Sequence, residues 1–378
     1  MIKKKLLTAA ILLVGQLVLI APALASDEVT RPDSPNLTAM PGSDIKTATP
    51  IKAQSVSTDE KPSSGPGESV HQPASPVETG DLLQVVQNPR VSLILAGGGA
   101  RGAAHVGVLK VFEAEKIPID LLVGSSVGSM VGCLYCAGVP TAKIEELVLS
   151  SQFKKAFYPL PIKVKAALTV PPYLFKRMLL IKPPIGLYSG NAIAKFVSRN
   201  LPSGITNIEQ LKIPYAALAV NLKDTRPVFI DNGPINKAVQ ASCSVPFLFR
   251  PVAIGDNLLV DGGLRSNLPT EAANSVGARL VIAVKLHSFL KTEAKKLNTV
   301  VSYGDQLAGI LMSEIEDKPA GQADIVIEPN ADNLNLHNFN RADLAAAIES
   351  GEAATRKALP AIKAKLSRLA NSNVIETK

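Results

Sequence analysis

Apolar residues in this chain gather into short runs that break on glycine, and these runs alternate with stretches whose apolar positions fall at helical spacing. Residues 91–96 form a run of strand length, and residues 103–115 then place Val106, Leu109, Val111 and Phe112 near the helical period. A second strand is predicted over 120–124 and a second helix over 126–137. Further strands are predicted at 215–222, 228–230, 258–260, 280–285 and 324–328, and further helices at 192–200, 234–242, 270–275 and 341–358. Strand and helix in alternation predict an α/β fold with a mostly parallel central sheet flanked by helices. No internal repeat at solenoid period interrupts the order.

The first 88 residues stand outside that pattern. Lys3, Lys4 and Lys5 precede an apolar run over 6–20, and Ala23-Leu24-Ala25 offers small residues at a cleavage position, so residues 1–25 read as an export signal peptide. An apolar run of about 15 residues is short for a membrane span. Cleavage leaves Ser26 first, and serine in place of cysteine argues against lipid anchoring. Residues 26–88 are rich in Ser, Pro, Thr, Asp and Glu and contain no Phe, Tyr or Trp, which predicts a disordered linker. The folded part is then expected to comprise a main domain over 89–288 and a C-terminal extension over 289–378 packing on it. The expected location of the mature protein is the periplasm or the outside of the cell.

Charge is distributed unevenly. The formal net charge is +8; three leader lysines and a net −5 across residues 26–88 leave +10 on the remainder, which favours an anionic surface such as phospholipid head groups or nucleic acid. Residues 147–208 contain no acidic side chain but carry Lys154, Lys155, Lys163, Lys165, Lys176, Arg177, Lys182, Lys195 and Arg199, interleaved with Phe153, Phe157, Tyr158, Tyr173 and Phe175. That mixture suits a segment lying on an anionic membrane, and equally a solvated cationic face over ordinary core residues. Nucleic acid is the poorer partner for an exported protein. Cys133, Cys136 and Cys243 lie in apolar surroundings; Cys133 and Cys136 form a CxxC, but no second Cys or His pair stands at ligand spacing, so they read as small core residues, although a Cys133–Cys136 disulfide stays open.

Candidate chemistry sits where strands end. Gly124-Ser125-Ser126-Val127-Gly128 puts Ser126 at a strand-to-helix turn with glycine two residues to either side, the pattern of a nucleophile elbow. Gly97, Gly98, Gly99, Ala100, Arg101 and Gly102 follow the first strand, and two uses are open. Gly97, Gly99 and Gly102 match the dinucleotide fingerprint GxGxxG, but Asp120, the nearest candidate for a ribose contact, precedes the second strand where that role needs it at the end. Alternatively, the amides of Gly98 and Gly99 form an oxyanion hole at a helix start. Arg101 is either a lipid-phosphate ligand or a surface cation.

Ser126 needs a base. His71 lies in the linker, His105 within the first helix and His337 in a polar loop, so His287, after the 280–285 strand, is the histidine candidate, in the order Ser126, Asp261, His287. The other candidate is Asp261 acting directly: it ends the 258–260 strand and is followed by Gly262 and Gly263, although the same three residues also suit a plain turn.

Together, the 97–102 glycine loop, the Ser126 elbow with Gly124 and Gly128, and Asp261-Gly262-Gly263 resemble the patatin-like phospholipase family of exported bacterial proteins. Ala241-Ser242-Cys243-Ser244-Val245-Pro246, Pro251, Asn267 and Pro269 add to the similarity. Ser129 is a departure, standing where alanine is common in the family. The resemblance implies a patatin-like three-layer α/β architecture with the catalytic domain at 89–288. It also implies a Ser126 nucleophile, Asp261 as its base in a dyad, and the loop from Gly97 through Arg101 to Gly102 as oxyanion hole. The implied activity is cleavage of phospholipid or related lipid esters with neither metal nor cofactor, and His287 then loses its role. The alternatives are an inactive membrane-associated binding protein on the same fold, a Ser-His-Asp esterase using His287, and a dinucleotide-binding oxidoreductase.

Overall fold

In the computed structural model, residues 86–160, 185–287, 293–294, 297–298, 300–330, 334 and 336–375 are described. The expected signal peptide, nearly all of the linker, and the part of the basic stretch over 161–184 lie outside these residues.

Strand β1 (Ser92–Leu95) is buried at every position. An unbroken apolar run is stable as a strand only when both faces are covered, and β1 accordingly lies inside the sheet, between β2 (Leu121–Ser125) and β7 (Val281–Val284), parallel to both. Strand β3 (Tyr215–Asn221) continues the parallel set beside β2, and β8 (Ile325–Ile327) continues it beside β7. Strands β4 (Pro227–Ile230) and β6 (Asn257–Asp261) both pair antiparallel with β3, and β5 (Val252–Ile254) pairs antiparallel with β6. The eight-stranded sheet runs β5-β6-β3-β2-β1-β7-β8, with β4 on β3. Strand β8 lies beyond residue 288, so the sheet itself reaches into the segment expected to be an extension.

Helices flank this sheet. A 3-10 turn over Gly99–Ala103 leads into α1 (Ala104–Ala114), and α2 (Val127–Cys136) follows β2 directly. Then come α3 (Thr141–Val148), α4 (Ser151–Phe157), α5 (Asn191–Asn200), α6 (Ile235–Ser242), α7 (Thr270–Ser275), α8 (Val300–Ala320) and α9 (Arg341–Ile375). Helices α2 and α6 pack on β3, α7 on β1 and β7, and α9 on α1 and β8. The α1–α9 contact is backbone on backbone: a Cβ on Gly107 would meet Ile348 O at 2.0 Å, and one on Gly351 would meet Ala104 O at 2.0 Å. Only glycine allows helices to cross so closely.

Three helices, α3, α4 and α8, and the short strand β5 arise where no element was predicted, and α9 runs on past the expected end at 358, through Pro360. All three cysteines are buried free thiols, so no Cys133–Cys136 disulfide forms. Among the described residues, no helix is long and apolar enough to cross a membrane.

Candidate active site

Ser126 stands between the end of β2 and the start of α2 with φ 49° and ψ −123°, a positive φ that a side chain rarely adopts. Such a conformation costs on the order of 1–3 kcal/mol and persists only where the surroundings over-determine it. They do so here on both sides. The Ser126 amide donates to Ser242 Oγ at 2.9 Å, and its carbonyl accepts from Ser129 Oγ at 2.6 Å, a bond that alanine at residue 129 could not make. The flanking glycines are required by space: a Cβ on Gly124 would lie 2.5 Å from Ser129 N, and one on Gly128 would lie 2.5 Å from Leu95 O.

Strand β3 carries the second group to the same place. Ser125 of β2 registers opposite Leu218, and Asp261 of β6 opposite Ala219, the next residue along. Gly262 then passes so close to β3 that a Cβ would meet Leu218 O at 2.7 Å. Asp261 Oδ1 accepts from the Gly263 amide at 2.9 Å, while Oδ2 has no aligned partner among the described residues. Burial pushes the Asp261 carboxyl up to about 6, against the opposing pull of the Gly263 amide and the nearby Ser126 hydroxyl. A carboxylate poised there accepts protons near neutrality.

The glycine loop divides its work. The Gly97 amide is taken by Asn267 O at 3.2 Å, and the amides of Ala100 and Arg101 are taken by Leu336 O and Gly98 O at 3.0 and 3.1 Å. Among the described residues no acceptor meets the amides of Gly98 and Gly99. Gly102 serves packing instead, since a Cβ there would strike Val127 Cγ1 at 2.1 Å. Arg101 is no surface cation: it is 7% exposed, its Nε donates to Leu334 O at 2.8 Å, and its charge acts on the buried Asp305. Within this loop, then, Gly98 and Gly99 alone present donors, and Gly97, Arg101 and Gly102 hold the loop in shape.

Gly97, Gly98, Gly99, Ser126, Asp261 and His287 line one pocket. Its far wall is apolar and aromatic, with Phe157 stacked on Phe339 at a ring separation of 5.2 Å. Val245 and Leu264 line it while remaining 41% and 49% exposed, which makes them its rim. His337, also on the pocket, is hydrogen-bonded through Nδ1 to Tyr158 Oη at 2.5 Å. His287 is fully buried and its Nδ1 faces Glu316 Oε1 at 2.6 Å. Among the described residues it bonds to neither Ser126 nor Asp261. His105 is buried in α1 against Ala96 O at 2.8 Å, and burial lowers its pKa to about 4. Asp120 accepts from Val91 N at 2.9 Å, at the opposite end of β1 from the glycine loop, which removes it as a ribose contact. No group of His, Cys, Asp and Glu among the described residues could hold a metal ion.

An α/β fold whose sheet presents a strained serine, two amides with no acceptor among the described residues and a carboxyl of raised pKa in one pocket defines the class: a protein built around a nucleophile elbow. Residues 93–274 match the patatin-like phospholipase family, and the chain carries a patatin-like phospholipase domain. The match ends before His287 and Glu316. Patatin-like phospholipase domain-containing protein 6 of Homo sapiens is 30% identical over 230 residues, 60% of this chain and 15% of that protein. Neuropathy target esterase sws of Drosophila melanogaster is 30% identical over 223 residues, 58% of this chain and 14% of its own length. Lysophospholipase NTE1 of Mycosarcoma maydis is 32% identical over 219 residues, 58% of this chain and 10% of its own. The chain therefore matches only 10–15% of the length of these relatives. Among solved structures, VipD from Legionella pneumophila aligns over 73% of this chain and 68% of its own, at 16% identity and a TM-score of 0.41.

Proposed function

We propose that the protein is a serine lipid acyl hydrolase that cleaves phospholipid or related lipid esters through an acyl-Ser126 intermediate, with Asp261 as the base of a Ser-Asp dyad. The observation that carries this reading is the meeting, in one pocket, of a serine held at φ 49° and a buried carboxyl with its pKa raised to about 6. Asp261 takes the Ser126 proton as Oγ attacks the ester carbonyl, and the amides of Gly98 and Gly99 hold the oxyanion. The tetrahedral adduct collapses, the C–O bond to the alcohol breaks, and Asp261 returns the proton to the departing alcohol. Water, deprotonated by Asp261, then releases the fatty acid and restores Ser126. No step calls for a metal or cofactor. The aromatic wall suits an acyl chain.

Partners follow from the rim. Val245, Phe247 and Leu264 are exposed apolar residues around the mouth, and the exposed cations Lys154, Lys155, Arg250 and Arg265 neighbour pocket-lining positions in sequence. An anionic phospholipid surface matches that combination; nucleic acid does not match the apolar part. The proposed location, periplasmic or secreted, rests on the N-terminal sequence alone.

The test is incubation of the protein, wild type beside Ser126→Ala and Asp261→Asn, with defined phospholipids and lysophospholipids, followed by mass spectrometry. Free fatty acid from the wild type and none from either variant is expected. Hydrolysis that survives Ser126→Ala would sink the proposal. Absence of fluorophosphonate labelling at Ser126, with lipid binding retained, would leave a binding protein on this fold.

A further inference from the structure

Behind the glycine loop lies a buried polar chain that the dyad does not use. Asn267 clasps Gly97 from both directions: its carbonyl accepts from the Gly97 amide at 3.2 Å, and its Nδ2 donates to Gly97 O at 2.9 Å. The second Nδ2 hydrogen goes to Glu316 Oε1 at 2.5 Å. Both acceptors are oxygens, so the amide orientation of Asn267 is fixed by its partners. Glu316 Oε1 also accepts from His287 Nδ1 at 2.6 Å, and Oε2 accepts from the His287 amide at 3.3 Å. The side chains of Glu316 and His287 are both 0% exposed.

A carboxylate removed entirely from water is costly, and a well-packed apolar residue in its place is often neutral or stabilising. Its cost is therefore an argument for a positional task. The chain of bonds ends on Gly97, one residue before the two free amides. The imidazole closes the other side, with Cε1 at 3.5 Å from where a Cβ on Gly98 would stand. Lys285, two residues before His287, pairs with Asp317, next to Glu316, and so ties α8 to the end of β7 at this level.

We propose that Glu316 and His287 are positioning residues for the oxyanion loop, acting through Asn267 to hold the Gly98 and Gly99 amides in place. This rests on the hydrolase reading above. Asn267 falls inside the region matched by the family, whereas His287 and Glu316 fall outside it, so this chain completes its amide loop with residues from beyond the matched domain.

Three variants test the proposal: Glu316→Gln, His287→Phe, and His287→Asn, whose amide can still donate to Glu316. The first two should lose about 100-fold in kcat on a soluble ester with KM within about 3-fold, the signature of displaced transition-state donors. His287→Asn should recover most of that loss, which a general fault in packing would not permit. Hydrogen exchange gives a readout independent of turnover: peptides covering 96–103 should lose protection in Glu316→Gln and His287→Phe but keep it in His287→Asn, with β2 peptides unchanged in all three. If His287→Phe fails to fold, Glu316→Gln and His287→Asn still decide the matter. Unchanged loop protection and wild-type kcat in Glu316→Gln overturns the proposal. So does a His287→Asn variant with intact loop protection and no turnover, which would assign chemistry to the imidazole itself. The exchange pattern across the variants, with no ester hydrolysis by the wild type, would sink the hydrolase reading and leave the positioning intact.

Discussion

Ser125 and Asp261 pair with consecutive residues of one strand, Leu218 and Ala219 of β3. The nucleophile elbow begins one residue after Ser125, so its distance from Asp261 is set by the pitch of a strand and not by a loop. Strand β2 arrives parallel and β6 antiparallel, and their ends meet at the same level of the sheet. Functional groups set on regular elements in this way are placed more precisely than groups on loops, and the bonds from Ser242 and Ser129 then hold the Ser126 backbone in its strained form.

The first prediction concerns pH. With the Asp261 carboxyl at about 6, kcat/KM for a soluble ester should be flat above that value and fall about tenfold per pH unit below it. A profile flat down to pH 4.5 would contradict Asp261 as the base.

Stability should respond in the opposite sense. The folded carboxyl titrates near 6, above its usual 3.8, so the fold favours the protonated form. That contribution is complete below about 3.8 and is lost as pH rises through about 6. Ionised Asp261 therefore costs the native state up to about 3 kcal/mol at neutral pH. Asp261→Asn should stabilise the protein more at pH 8 than at pH 4, read by urea denaturation at both. Equal effects at the two pH values would count against the raised carboxyl.

Much of the site was legible because its signals are local. Glycine is forced at residues 124, 128 and 262 by backbone atoms of Ser129, Leu95 and Leu218, and at residue 97 by the Asn267 side chain, and these constraints mark the chain as short glycine patterns. Asp261 was legible as the last residue of an apolar run. What escaped depends on distant partners. Arg101 reads as a lipid-phosphate ligand or a surface cation until Leu334 O, 233 residues away, accepts from it. Glu316 gave no sign because α8, with its apolar residues spread around the helix, shows no clear stripe, and a buried glutamate is recognisable only from the His287 and Asn267 it meets. Helices α3 and α4 have eight and seven residues, about two turns each, too few for the helical period to stand out. Strand β5 has three residues, too few for a period.

The elbow should tolerate no added carbon. A Cβ on Gly128 would lie 2.5 Å from Leu95 O and 2.6 Å from Ala96 O, both backbone atoms of the central strand and its exit. Neither can move without disturbing the sheet. Gly128→Ala should cost about 3 kcal/mol and slow fluorophosphonate labelling of Ser126. Wild-type stability with wild-type labelling would show that the elbow relaxes more easily than this packing allows.

Membrane contact should separate from chemistry. Helix α8 places Ala308 and Met312 on the pocket while Leu307, Ile310 and Leu311 are 44%, 50% and 61% exposed on the same turns. Exposed apolar side chains beside a lipid-ester pocket are suited to a bilayer. Combined Leu307→Ser, Ile310→Ser and Leu311→Ser should reduce binding to anionic phospholipid vesicles, measured by co-sedimentation, by at least about tenfold, given roughly 1 kcal/mol or more per buried aliphatic side chain. Turnover of a soluble short-chain ester should stay within about twofold. Unchanged vesicle binding would move the docking face elsewhere on the molecule.

The last prediction concerns the C-terminal helix, whose part in the site is indirect. Gly351 of α9 lies against Ala104 at the start of α1, and α1 follows the glycine loop without a break, through the 3-10 turn over Gly99–Ala103. A Cβ on Gly351 would stand 2.0 Å from Ala104 O, so a larger side chain must push the two helices apart. That displacement acts on the segment carrying the Gly98 and Gly99 amides. Gly351→Val should therefore lower Tm by about 6–12 °C, for an overpacking cost of about 3 kcal/mol in a domain of this size, and should depress kcat more than KM. Gly204 provides the contrast: its φ is +83°, yet a Cβ there meets nothing within 4 Å. Gly204→Ala should cost only the local backbone strain, about 1 kcal/mol, and leave kcat alone. Equal losses in the two variants would mean that the helix crossing at Gly351 is no tighter than an ordinary turn, and that α9 does not reach the site.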